Sequence, residues 1–175
     1  MKKIRLFHGT GFYFGRFEAG KDSTGKLVCK KDVTVWSNIS QSYAMNKAKE
    51  LKPTGSVRSA LVSGNQWDYV MGCVNGKPDG VGIPFDVTKS GGRSSATNGK
   101  TTGASKADKV YNIYDLEGNF QEYDTGITNY YNSGPEAIVR GGCHARHSHA
   151  ASAYDFWFRA DYQQSYSFRC ILYVL

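Results

Sequence analysis

The residues best suited to chemistry crowd together between Val139 and Leu175, which holds three of the four histidines and two of the four cysteines. The sharpest pattern is His144-x-x-His147-x-His149, preceded by Cys143. Imidazoles two and three residues apart can converge on one metal from an extended or looped backbone. A zinc or iron ion there needs a fourth ligand or a water, and Asp155, Asp161 and Cys143 are the available donors. The stretch has no His-Glu-x-x-His frame, however, and no carboxylate is placed to orient the rings. These histidines therefore read as exposed loop residues rather than a metal site. Nucleophilic catalysis has less support. Cys143 adjoins His144, but neighbours in sequence seldom face each other, and no third group is identifiable as an orienter. The run SGGRSSATNGK (90–100) lacks the spacing of a phosphate-binding loop, and Glu117 and Glu122 read as a turn residue and a strand residue rather than an acid/base pair.

What the segment does offer is surface chemistry. From Cys143 to Tyr166 it displays His, Arg, Tyr, Asp, Trp and Gln with hardly an aliphatic side chain larger than alanine. Aromatic residues and arginine are enriched where binding energy concentrates, and mixtures of Tyr, Ser and Asp give adaptable contacts. The candidate ligand-binding residues are Cys143, His144, Arg146, His147, His149, Asp155, Trp157, Arg159, Asp161, Tyr162 and Gln163. A core strand would not tolerate Asp155, Arg159 and Asp161 unpartnered. Phe156, Trp157 and Phe158 are consecutive, and an extended chain alternates its faces. Either the two phenylalanines turn inward and Trp157 outward, or the reverse holds.

The elements that must position this segment lie upstream and at its ends. Phe12–Phe17, bounded by Gly11 and Gly20, reads as a strand, and Thr34–Trp36 as a shorter one. From Ser40 to Lys52, Ala44, Met45, Ala48 and Leu51 fall at helical spacing, and Pro53 stops the run. A second helix starts at Ser63 with Gln66 as its capping-box partner, carries Trp67, Val70, Met71 and Val74 on one face, and ends at Asn75-Gly76. Trp67 is expected to be a core anchor. Residues 76–109 are polar and glycine-rich without a period. Regular signals resume at Val110–Leu116, turn at Glu117-Gly118-Asn119 and continue through Phe120–Tyr123. Ala137–Arg140 reads as a strand ending at Gly141-Gly142, and Phe168–Leu175 as one central strand. The result is an α+β domain with two helices, short antiparallel strands and a high loop content, expected to be a single unit over 1–175.

Composition narrows the function further. The net charge of +7 suggests nucleic acid, but Lys77, Lys89, Arg93, Lys100, Lys106 and Lys109 lie in one Gly/Ser/Thr-rich stretch with little aromatic interleaving. That is a solvated loop rather than a phosphate-tracking groove. No run of about 18 apolar residues is present, so no membrane span is expected. The opening MKKIRLFHGTGF is basic but lacks the roughly 7 to 15 apolar residues of an export signal. Cytoplasmic synthesis is therefore expected, with a virion or surface-associated destination open. Cys29, Cys73, Cys143 and Cys170 form no C-x-x-C pair and read as reduced thiols, with a Cys143–Cys170 disulfide left open.

Five ordered stretches resemble the formylglycine-generating-enzyme/sulfatase-modifying-factor family, a branch of the C-type lectin fold. GFYFGRFEAG (11–20) resembles its opening strand, SGNQWDYVM (63–71) its Gln-Trp-Glu/Asp helix, and NIYDLEGNFQEY (112–123) its Tyr-Asp-x-x-Gly-Asn hairpin. Val139–Gly142 and Ser167–Cys170 resemble the closing Arg-Gly-Gly and Gly-Phe-Arg elements. The likeness covers nearly the whole chain. Gln121 and Tyr123 stand where the family has two tryptophans, and Ser167 stands where it has glycine. The oxidase members bind copper through a cysteine pair at positions that are Arg146 and Ala151 here, so the resemblance implies the fold without that soft-ligand site.

The resemblance is greatest to the variable proteins of diversity-generating retroelements, in which the segment between Arg-Gly-Gly and Phe-Arg is hypermutated at adenines. Cys143, His144, Arg146, His147, His149, Asp155, Arg159, Asp161 and Tyr162 are all reachable from asparagine-type codons, whereas Trp157, Gln163 and Gln164 are not. The implied function is a non-enzymatic receptor or adhesin-type module with a variable-type segment at 143–166. Its implied partner is a protein or glycan on a host or partner cell surface, as for a phage tail domain. No cofactor is implied beyond a structural calcium near Asn119–Asp124, which some relatives hold. The alternative is a metal-dependent oxidase of the same family using the histidine cluster.

Overall fold

A computed structural model describes residues 2–4, 11–74, 99–106, 109–131, 134–142, 154–158 and 165–175. Five short strands come first: β1 (Lys2–Ile4), β2 (Phe12–Phe14), β3 (Gly20–Lys21), β4 (Leu27–Val28) and β5 (Thr34–Val35). The helix α1 (Gln41–Glu50), the strand β6 (Val57–Leu61) and the helix α2 (Gly64–Val74) follow. The C-terminal half contributes β7 (Lys109–Val110), β8 (Ile113–Tyr114), β9 (Gln121–Thr128), β10 (Glu136–Arg140), β11 (Tyr154–Phe158), β12 (Tyr166–Phe168) and β13 (Cys170–Val174). One four-stranded sheet has the order β1-β2-β13-β6 and is antiparallel throughout. The other has the order β11-β10-β9-β12, with β12 parallel to β9. Among the described residues, no helix is long and apolar enough to cross a membrane.

Both helices form where their periodicity and caps place them. Ser40 caps α1 by accepting from the Tyr43 amide, and Ala44 and Ala48 bury against Tyr123, Val139 and Phe168. The small alanines let α1 lie close to the sheet. At α2 the reciprocal box is complete: the Gln66 amide donates to Ser63 Oγ at 3.3 Å, and the Ser63 amide donates to Gln66 Oε1 at 2.9 Å. Trp67 is fully buried, edge-on to Phe14 at 5.8 Å, in a cluster with Val70, Met71 and Ile171.

Two strand expectations change, and one strand carried none. The run Phe12–Phe17 is strand only to Phe14, and the Gly15 amide next to it still donates in register to the carbonyl of Cys170 at 2.9 Å. A Cβ at Gly15 would lie 2.7 Å from that oxygen, so glycine is required there. The strand β6 has no clear sequence signature because Ser59, a polar residue, occupies one of its buried positions. Its hydroxyl is satisfied by the Lys49 carbonyl and the Lys52 amide at the end of α1. Finally, Phe168–Leu175 is not one strand. It breaks at Arg169 into β12 and β13, which belong to different sheets.

Arg169 sits at this switch with no exposed surface. Its Nε donates to Glu122 Oε2 at 2.9 Å, and its Nη2 donates to Glu122 Oε1 to complete a two-pronged ion pair. Nη1 reaches the Gly15 carbonyl at 3.0 Å and Nη2 the Tyr114 carbonyl at 2.9 Å. One side chain therefore joins the end of β2, the end of β8 and the start of β9. The planar guanidinium suits this task because its donors point in fixed directions toward several acceptors at once. Glu122, read from sequence as an ordinary strand residue, is a buried ion-pair partner. Glu18, Asp115 and Asn119 complete the polar core: Asn119 Nδ2 donates to Glu18 Oε2, and Ser167 Oγ approaches Glu18 Oε1 at 3.4 Å.

Burial, reinforced by the neighbouring Asp115 and Glu122 charges, raises Glu18 well above the ordinary value of 4.5. The folded chain therefore holds that proton more tightly than the unfolded chain. The stability tied to Glu18 is full below 4.5 and is lost as pH rises from there through the folded value. Glu18→Gln, which removes the ionisable group, is expected to gain melting temperature relative to the parent protein progressively as pH rises above 4.5. Calorimetry across that range checks it, and a constant gap would refute it. Arg169→Met strands Glu122 in the core and is expected to cost about 3–5 kcal/mol, or roughly 10–15 °C in melting temperature. Urea denaturation measures the loss.

Candidate ligand-binding face

The second sheet carries the start and the end of the candidate segment. Of the residues expected to bind ligand, Asp155 and Trp157 lie on the backbone of β11, with their Cα atoms opposite Val139 and Ala137 of β10. Cys143, His144, Arg146, His147, His149, Arg159, Asp161, Tyr162 and Gln163 lie outside the described residues. The expectation for the histidine cluster lies there too. Within the described sheet, β11 is an edge strand paired to β10 alone.

The approach to the segment is fixed at Arg140, the last residue of β10. Its Nε donates to Asp124 Oδ2 at 2.7 Å and its Nη1 to Asp68 Oδ1 at 3.0 Å, linking β10 to β9 and to α2. Asp124 is fully buried, and its other oxygen accepts from the Gly126 amide. Asp68 is half exposed, and partial burial raises its carboxyl despite the arginine beside it. Gln41 at the start of α1 donates to the carbonyls of Asp124 and Gly126, both at 2.7 Å, so the same stretch of β9 is held from both helices. Gly141 follows with φ of 69°, and a Cβ there would meet the Leu116 carbonyl at 2.9 Å. The Arg-Gly pair thus has a physical basis: an ion-paired anchor, then a left-handed turn against a neighbouring backbone.

The return from the segment is equally anchored. Tyr166 is buried edge-on to Tyr123 at 5.5 Å, and Ser167 reaches Glu18. Ser167 thereby brings a hydroxyl to the carboxyl cluster, and Tyr123 packs its phenol in the core.

One exposed feature near the face carried no sequence expectation. At the turn after β9, Tyr130 and Tyr131 stand 65% and 64% exposed with their rings edge to face, centroids 5.0 Å apart. The buried carboxylate of Glu136 fixes this turn by accepting from both tyrosine amides, at 3.1 and 3.4 Å. Glu136 also pairs with Phe158, the last described residue of β11, so the tyrosine turn adjoins the end of that strand. The signal available in sequence was an aromatic pair beside the Asn-Ser-Gly-Pro turn residues.

A calcium ion near Asn119–Asp124 does not fit the side chains present. Both Glu122 oxygens face Arg169, Asp124 faces Arg140 and a backbone amide, and Asn119 Oδ1 accepts from the Lys100 amide. These oxygens point at separate donors rather than converging. Among the described residues, no group of three or more His, Cys, Asp or Glu side chains could hold a metal ion.

No protein-family model matches the sequence, and no curated protein does. Solved structures do match. CarF aligns at 14% identity over 97% of this chain and 88% of its own, with a TM-score of 0.64. PvdO from Pseudomonas aeruginosa aligns at 14% identity over 94% of this chain and 81% of its own, with a TM-score of 0.61. Treponema denticola variable protein 1 aligns at 15% identity over 87% of this chain and 74% of its own, with a TM-score of 0.57. The chain has the α+β, C-type-lectin-like fold of these proteins.

The two aspartates on Arg140 differ sharply in exposure, and their substitutions should differ accordingly. Arg140→Ala leaves Asp124 buried without its cation and is expected to cost about 3–5 kcal/mol. Asp68→Asn removes only a solvent-screened partner and is expected to cost less than about 1 kcal/mol. Equal losses in parallel urea titrations would contradict this assignment of the anchor.

Proposed function

We propose that this chain is a non-enzymatic ligand-binding module, an adhesin or receptor-binding domain of the kind found on phage tails and cell surfaces. Its interchangeable face is the segment between Cys143 and Tyr166. The observation that supports this reading is the bracketing of the segment by two buried ion pairs, Arg140 with Asp124 and Arg169 with Glu122. Both pairs are formed entirely by residues outside the segment. The scaffold's anchoring energy therefore does not depend on which side chains the segment carries, and this is the condition under which a binding surface can vary while the fold persists.

The ligand is a protein or glycan on a cell surface, recognised through a few aromatic and arginine anchors among Trp157, Arg159 and Tyr162. Tyr130 and Tyr131, held rigid beside the end of β11, would extend the same face. The shared fold of a variable protein from Treponema denticola is in keeping with this use of the scaffold.

The combined variant Trp157→Ala, Arg159→Ala, Tyr162→Ala separates display from folding. It is expected to melt within about 3 °C of the parent protein, as surface changes do. It should also lose binding to whichever members of a glycan array and a displayed cell-surface protein library the parent retains. Retained binding would remove these residues from the site, and a collapse in melting temperature would move them into the core.

A further inference from the structure

We propose that Cys29 and Cys170 are a built disulfide site, closed by a thiol–disulfide oxidant such as glutathione disulfide. Both are free thiols in the structure. Cys29 packs on the apolar cluster that contains Cys170, and each thiol shifts the other's protonation. The backbones that carry them are strapped to one intervening stretch. Val28 pairs with Gly20, the Ala19 amide donates to the Phe168 carbonyl at 2.8 Å, and the Gly15 amide donates to the Cys170 carbonyl at 2.9 Å. The end of β4 and the start of β13 are thus fixed relative to each other on both sides of the sulfur pair.

The two thiols are also unlike in a way that orders the chemistry. Cys29 is partly exposed and Cys170 is fully buried. The neighbouring Cys170 thiol holds Cys29 below the ordinary value of 9.0, while the Cys29 thiol and burial push Cys170 well above it. Cys29 is the better thiolate, and Cys170 stays protonated until it is needed. The Cys29 thiolate attacks one sulfur of glutathione disulfide, breaking that S–S bond and releasing one glutathione thiolate. Cys170 then gives its proton to solvent and attacks Cys29 Sγ, breaking the mixed disulfide and releasing a second glutathione. The protein loses two electrons and two protons, and one glutathione disulfide becomes two glutathiones.

Cys73 is the internal control. It is a partly buried free thiol on α2, packed on the other apolar cluster. The test is to incubate the folded full-length chain with glutathione disulfide, block remaining thiols, and map peptides without reduction. The expected product is lighter by about two mass units, with the Cys29 and Cys170 peptides joined and Cys73 blocked. Its melting temperature should rise by roughly 10 °C and fall back on adding dithiothreitol. Cys170→Ala should instead stop at a Cys29–glutathione adduct. Should that variant fail to fold, Cys29→Ser should leave Cys170 unmodified. A stable glutathione adduct on Cys29 of the parent protein, a bond through Cys73 or Cys143, or no reaction at either thiol would each overturn the proposal.

Discussion

The two-pronged ion pair between Arg169 and Glu122 is the constraint on which the arrangement of both sheets depends. The chain leaves one sheet and enters the other at Arg169, and the guanidinium spends its donors on the ends of β2 and β8 as well as on Glu122. A buried charge pair is rarely a cheap way to gain stability, because desolvation offsets much of the attraction. Its contribution here is directional. An apolar residue at the switch could fill the volume, but it would leave the carbonyls of Gly15 and Tyr114 without donors and would not distinguish this crossing of the strands from a shifted one.

The pair is embedded in an excess of negative charge. Glu18, Asp115 and Glu122 gather around one arginine, and burial raises both Glu18 and Glu122. A second arginine, Arg140, repeats the motif at lower cost on the other side of β9, where one of its two aspartates reaches solvent. β9 therefore presents Glu122 to one arginine and Asp124 to another, and the candidate segment leaves and re-enters the scaffold beside them. The two anchors share a strand, so a disturbance at either bears on both ends of the face.

Much of this was legible in the sequence. The alternation of Ala44 and Ala48, the Ser63–Gln66 cap and the buried face of α2 follow from spacing alone and formed as expected. The order of motifs from Gly11 to Cys170 implied the fold that the solved structures share. Long-range electrostatics was not legible. Glu18 lies between Phe17 and Ala19, and Arg169 between Phe168 and Cys170, so each is a charge inside an apolar run that must find a partner. Sequence shows that requirement without naming the partner. The break at Arg169 was hidden for the same reason, since one charge in an otherwise apolar run does not show that the strands on its two sides hydrogen-bond to different sheets. The strand β6 was hidden by Ser59, whose burial depends on the turn after α1.

The position of β13 has a consequence for how the molecule is made. Among the last residues of this sequence, it lies between β2 and β6, which come from the first part of the chain, while β12 pairs with β9 in parallel. The centre of the first sheet is thus occupied by its latest strand. Until that strand emerges from the ribosome, β2 and β6 have no partner between them and α2 has no complete floor to pack on. Many native contacts therefore join distant parts of the chain, and pairings of such large sequence separation slow folding.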